Sequence, residues 1–211
     1  IAKIKPLDER ALAAARARQD TLTKPPGSLG RLEDISVQLA GIYGQAVPKP
    51  TSKVIVLAAA DHGVVAEGVS AYPQEVTPQM VFNFLRGGAA INVLARHAGA
   101  RVVIVDAGVA AQLPSDPRLI SLAIGKGTAS MMRGPAMSPQ QARLCLEQGI
   151  AIVSGEITKG ADLVGTGDMG IGNTTVASAI TSVITGRLPV EVTGKGTGIT
   201  EDQRLHKAQV I

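Results

Sequence analysis

The chain has 211 residues, 45% hydrophobic and 18% charged, which is enough to bury a core without disulfide or metal staples and too apolar for disorder. Its net charge of +4 comes entirely from residues 1 to 31, where Lys3, Lys5, Arg10, Arg16, Arg18, Lys24 and Arg31 outnumber Asp8, Glu9 and Asp20. Only Tyr43, Tyr72, Phe82 and Phe84 are available to stack on bases, so nucleic acid is excluded as a partner; a lone Cys145 and the lack of a long apolar run or signal-peptide pattern predict a cytoplasmic protein with no membrane contact.

Residues from Leu7 to about Leu22 carry apolar side chains at helical spacing among Ala and Arg, which predicts a helix. The stretch TKPPGSLGRLE, residues 23 to 33, breaks it through Pro25, Pro26, Gly27 and Gly30, and a second helix follows from Leu32 to Tyr43. Residues 1–50 therefore form a helical element of a small subdomain, closed by the Pro48 to Pro50 linker. From residue 51 to 211 the pattern changes to short apolar runs at 54–61, 102–106 and 162–168, separated by helix-like segments. Such runs suit strands buried on both faces, so the expected fold is α/β: a doubly wound, mostly parallel sheet flanked by helices, Rossmann-like. Helix starts are expected at Thr77-Pro78 and Ser138-Pro139, where a capping side chain precedes proline. His97 is expected just after a helix, His206 within a charged helix beside Lys207, and Cys145 in a helical core position. The chain opens on Ile1 and stops at Ile211 inside a helix-like segment, from which a truncated, incomplete large domain is expected.

Each expected strand ends in an aspartate followed by glycine: Asp61-His62-Gly63, Asp106-Ala107-Gly108 and Asp168-Met169-Gly170. Ligands of open α/β sheets bind outside the carboxyl ends of the strands, so three acids would line one crevice, accepting bonds from ribose hydroxyls or stabilising positive charge on a sugar carbon. The plainer alternative is that they cap strands and make turns.

The segment GTGDMGIGNTT, residues 165 to 175, runs from a strand through glycines into a helix capped by Asn173 or Thr174. Unpaired amides and the helix dipole there make a phosphate seat, the dipole alone contributing about 0.3 to 1 kcal/mol, with the hydroxyls of Thr174 and Thr175 adding to it. It is neither the dinucleotide fingerprint nor a Walker loop; a tight β-to-α turn without ligand is the alternative. The long connection from His62 to Gln79 suits a cover over a ring: Tyr72, Pro73 and Met80 supply flat or soft apolar surface, and Ser70 and Gln79 polar contacts to ring nitrogens. No histidine spacing resembles a zinc site, and no metal is expected.

The strings TKPPGSLGRLE, ADHGVVAEGVSAYPQEVT, GGAAINVLARHAGARVVIVDAGV, GKGTASMMRGPAMS and GDMGIGNTT occur in this order and resemble the nicotinate-nucleotide:dimethylbenzimidazole phosphoribosyltransferases over essentially the whole chain. That resemblance implies transfer of 5-phosphoribose from nicotinate mononucleotide to 5,6-dimethylbenzimidazole, with inversion at the anomeric carbon, by a homodimer that uses no metal or organic cofactor. It implies that Gly170, Ile171, Gly172, Asn173 and Thr174 hold phosphate with Asp168 near the ribose, that the helix containing Lys207 brings a cation to the phosphate, and that Ser70 and Gln79 fall in the benzimidazole pocket. Members of the family continue past the equivalent of Ile211 and carry there the glutamate that serves as general base; a chain without it is expected to turn over about 10² to 10⁴ times more slowly. Two other readings compete: a nucleotide-dependent oxidoreductase, opposed by an early strand ending in AADHGV where a Gly-rich turn is required, and a non-catalytic binding fragment.

Overall fold

The computed structural model describes residues 4–122 and 124–211. The chain divides into two compact units, one ending at Thr51 and the other spanning Ser52–Ile211. In the first, α1 (Glu9–Asp20) starts at Asp8, whose carboxylate accepts the Ala11 amide at 2.9 Å, and α2 (Arg31–Tyr43) ends at Gly44 in the left-handed region. Ala11, Leu12 and Ala15 of α1 and Ala40 and Gly41 of α2 are buried. A Cβ at Gly41 would stand 2.7 Å from Leu12 Cδ2, so the glycine is what lets the helices approach. Across the TKPPGSLGRLE turn, the Glu33 carboxylate accepts Lys24 Nζ at 2.8 Å and the Leu29 amide at 3.1 Å, which ties the two prolines back onto α2.

The second unit is built on a four-stranded parallel sheet of β1 (Lys53–Ala60), β2 (Ala100–Gly108), β3 (Leu119–Ser121) and β4 (Leu163–Met169), in the order β3-β2-β1-β4. The helices are α3 (Val76–Arg86), α4 (Ala90–Ala98), α5 (Pro139–Thr158), α6 (Asn173–Thr185), the single turn α7 (Pro189–Val192) and α8 (Glu201–Val210). The three apolar runs are strands, as expected; β3 is an addition to them, since its three residues pair only with Ile104–Asp106 and carry no sequence pattern of their own. The main core packs Val81, Phe84 and Leu85 of α3 and the nearby Ala89 onto Leu57, Ala59 and Ile104 of the sheet and onto Val109.

Ser138 caps α5 as its sequence predicts: its hydroxyl accepts the Gln141 amide and the Gln141 side chain accepts the Ser138 amide. Three local expectations are corrected. Helix α3 begins at Val76 after Glu75, and Thr77 is no cap but a fully buried side chain turned inward. His97 lies inside the last turn of α4. Cys145 is half-buried rather than core, because α5 buries only Glu156.

Glu156 is 2% exposed and joins α5 to the start of β2, accepting Lys159 Nζ and Arg101 Nη2, each at 2.7 Å. Those two bonds, Lys159 first, hold its carboxyl below the usual range against the opposing effect of burial. A depressed acid stabilises the fold above its unfolded value, near 4.3, and loses that contribution as pH falls through the folded value. Glu156→Gln should therefore flatten the acid limb of a stability-against-pH curve below about pH 4.3, measured by urea denaturation followed by circular dichroism.

Candidate functional site

Strand order reverses between β1 and β4: the chain steps outward from β1 to β2 and β3, then returns to the other side of β1. The carboxyl ends at that switch point are the place where open α/β sheets bind ligands. Here they present His62 and Gly170 against one another; a Cβ on Gly170 would lie 3.0 Å from His62 Nε2.

The turn leaving β4 is held from within. The Ile171 amide donates to Thr77 Oγ1 at 3.1 Å, Asn173 N to the Gly170 carbonyl at 3.0 Å and Thr174 N to Asn173 Oδ1 at 2.8 Å. Gly172, in the left-handed region, is the N-cap, and Asn173 is the first residue of α6. This corrects the expectation of unpaired amides behind an Asn173 or Thr174 cap: three of the turn's amides are engaged internally. Thr175 is fully buried, so its hydroxyl is not presented on the turn. Thr77, 94 residues away in sequence, is the contact that sequence reasoning missed. Thr77→Val keeps its shape and strands the Ile171 amide in the core, at an expected cost of about 1 to 3 kcal/mol in urea denaturation.

The cationic end of the turn is Lys207 on α8. It is 1% exposed, yet Nζ donates to Thr174 Oγ1 at 2.7 Å and to the Gly194 carbonyl at 3.4 Å, and among the described residues no carboxylate pairs with it. Burial alone pulls its pKa below that of an ordinary lysine. Gly196 takes a positive φ of 59° beside this pair, where a Cβ would come within 2.7 Å of Thr174 Oγ1 and 3.3 Å of Lys207 Nζ. At the other end, exposed Asp168 accepts Asn173 Nδ2 at 2.6 Å. Asp168, Asn173, Thr174 and Lys207 thus form one continuous polar rim.

The other two strand-end acids do different work. Asp61 is 1% exposed; its Oδ2 accepts the Ala110 amide at 2.8 Å. Asp106 accepts the amides of Gly108 and Val109 through Oδ1, the turn-making alternative. Asp61 and Asp106 line different cavities and Asp168 lines neither, so the expected single crevice of three acids is not formed. His62 is half-buried; burial lowers its pKa against the opposing charges of Asp61 and Asp168, leaving the imidazole neutral at pH 7.

In the loop after β1, Ser70 Oγ accepts the Tyr72 amide and the Ala71 amide donates to Thr197 Oγ1, so this loop reaches the same 194–198 segment that borders Lys207. Tyr72 is 54% exposed. Gln79 is exposed on α3, and Met80 packs partly against the main core. Among the described residues, no group of three or more His, Cys, Asp or Glu side chains could hold a metal ion, and no helix is long and apolar enough to cross a membrane.

The second unit is thus an open parallel α/β fold whose switch point carries a glycine turn and a buried lysine. A profile of the family described as phosphoribosyltransferase matches residues 4–211. The chain is 58% identical over 211 residues to a nicotinate-nucleotide–dimethylbenzimidazole phosphoribosyltransferase of Roseiflexus sp. (strain RS-1), covering all of this chain and 60% of that protein. A relative of the same name from Chloroflexus aggregans is 57% identical over 208 residues, 99% of this chain and 59% of its own length. The crystal structure of CobT from Thermus thermophilus superposes with a TM-score of 0.88 at 49% identity, over 95% of this chain and 60% of that one. The chain belongs to the phosphoribosyltransferase family, and it spans about 60% of the length of these relatives.

Proposed function

We propose that this chain carries the phosphoribose-binding half of an enzyme that moves 5-phosphoribose from nicotinate mononucleotide to 5,6-dimethylbenzimidazole. The observation that carries the reading is the buried Lys207 ammonium, hydrogen-bonded to Thr174 at the start of α6 and, among the described residues, paired with no carboxylate. A buried ammonium satisfied only by neutral oxygens favours an anion beside it, and a phosphate at the start of α6 also meets the positive end of the helix dipole. Gly170, Ile171, Gly172, Asn173 and Thr174 then surround the phosphate and Asp168 faces the ribose. In the transfer, the bond from C1′ to the pyridinium nitrogen breaks and its electron pair returns to the ring. A benzimidazole nitrogen forms the new bond to C1′, and the second nitrogen gives up its proton to water. Asp168 would stabilise the positive charge that gathers on C1′.

Ser70, Tyr72, Gln79 and Met80 are proposed to contact the benzimidazole. The same reading assigns a cytoplasmic homodimer, which sedimentation equilibrium tests. Calorimetry decides the reading as a whole: nicotinate mononucleotide and dimethylbenzimidazole should both give saturable heats with the 211-residue chain. A dinucleotide that binds more tightly than either would favour the oxidoreductase, and absence of heat from all three would remove the proposal.

A further inference from the structure

His206 and Lys207 are neighbours on α8, and they serve different parts of the second unit. Lys207 Nζ reaches Thr174 on the phosphate turn, whereas His206 Nε2 lies 2.7 Å from the carbonyl oxygen of Glu67. A carbonyl oxygen only accepts, so the imidazole carries a proton on Nε2 and donates it there. Glu67 closes the short 3₁₀ turn Gly63–Glu67. The bond therefore falls on the stem of the loop after β1, just ahead of Ser70 and Tyr72.

Packing joins the same two elements. Val64 and Val69, on either side of Glu67, form a small buried cluster with Val210, and Val176 of α6 packs against it. Val210 lies one turn beyond His206, so the two share a face of α8 while Lys207 occupies the next. The helix is tied to α7 as well, through Arg204 Nη1, which donates to the Val190 and Thr193 carbonyls at 3.0 and 3.1 Å. Within one helical turn the backbone is rigid, and whatever steadies Lys207 steadies His206 and Val210 with it. Lys207 has capacity for such a contact: of its three donors, one goes to Thr174 at 2.7 Å, and the Gly194 carbonyl at 3.4 Å is a long second partner.

We propose that His206 is a positioning residue for the acceptor base, and that α8 makes the phosphate turn and the base-contacting loop cooperate. An anion on Lys207 steadies α8, and the His206–Glu67 bond passes that order to the loop that carries Ser70 and Tyr72. The inference rests on the phosphoribose reading above and adds to it a coupling between the two ligands. Its physical basis is shared ordering. A base that must immobilise its own loop pays conformational entropy, and an anion that has already fixed the loop's anchor removes part of that cost. Linkage makes the effect reciprocal: the base strengthens phosphate binding by the same factor.

Dimethylbenzimidazole titrated calorimetrically into the 211-residue chain, with and without saturating inorganic phosphate, reads the coupling directly. Phosphate should tighten binding of the base about fivefold or more. His206→Ala should bring that factor to within about twofold, with phosphate binding retained. His206→Gln, whose side-chain amide donates from a similar place, should restore the coupling, and His206→Glu, which offers only acceptors to the carbonyl, should not. A histidine with a merely structural role would change the urea midpoint and leave the ratio of the two affinities alone. Should the alanine variant fail to fold, the contrast between Gln and Glu decides the matter. Equal affinity for the base with and without phosphate in the wild type overturns the inference, and so does a coupling that His206→Ala or His206→Glu leaves intact. Phosphate that binds while dimethylbenzimidazole does not removes the coupling alone; failure of phosphate to bind removes the phosphoribose reading and the coupling with it.

Discussion

Lys207→Met should weaken binding of inorganic phosphate and of nicotinate mononucleotide by about 10- to 100-fold, because one hydrogen bond to a charged group contributes about 1.5 to 3 kcal/mol. The same substitution should leave the fold at least as stable. Desolvation holds the Lys207 pKa below that of an ordinary lysine, so the native state binds this proton less tightly than the unfolded chain. The resulting penalty is in force at low and neutral pH and disappears as pH rises from the folded value towards the unfolded value of about 10.4. Wild-type stability should therefore climb with pH on the alkaline side, and the Met variant should lack that climb. Thr174 and Gly194 each lose a donor, but both residues are exposed and water replaces it. Calorimetry with phosphate and urea denaturation at two pH values read the two effects separately. Unchanged phosphate affinity would mean that Lys207 is a structural amine.

What could be read in the sequence was whatever a short stretch of chain decides for itself. The runs around Val54–Ala60, Val102–Asp106 and Leu163–Asp168 announce strands because parallel strands covered on both faces must be apolar throughout. Ser138 with Gln141 announces a helix start because the capping box closes within four residues. Thr77-Pro78 carries the same local signal and is misleading: α3 already starts at Val76, and the Thr77 hydroxyl is taken by the buried Ile171 amide 94 residues away. The GDMGIGNTT turn was legible as a place but not as a mechanism. Three of its amides are engaged by Thr77, Gly170 and Asn173, and the cation beside it is Lys207, which reaches Thr174 over 33 residues of sequence. Asp61, Asp106 and Asp168 look alike as strand-end acids. Only the fold separates one that faces solvent, one that makes a turn and one that is buried with an unpartnered oxygen.

Gly170→Ala should be the most damaging small substitution in the second unit. A Cβ at this position would overlap the Ala60 carbonyl oxygen and sit 3.0 Å from His62 Nε2. Ala60 ends β1, held between β2 and β4, so neither neighbour is the free end of a flexible side chain. Relief requires the ends of β1 and β4 to part, which breaks the switch point and moves the phosphate turn with it. Overpacking of this kind costs about 3 kcal/mol or more, a large share of the roughly 5 to 15 kcal/mol that holds a typical domain together. Gly149 and Gly155 provide the internal control: both lie in α5, and a methyl group added at either would meet no atom within 4 Å, so alanine there should raise stability by about 0.5 to 1 kcal/mol each through helix propensity. With no Trp in the chain, far-ultraviolet circular dichroism during urea denaturation is the measurement of choice. A Gly170→Ala variant within about 1 kcal/mol of wild type, with phosphate binding intact, would show that β1 and β4 can separate at their carboxyl ends without cost, and the rigid seat argued for Asp168, Thr174 and Lys207 would fall with it.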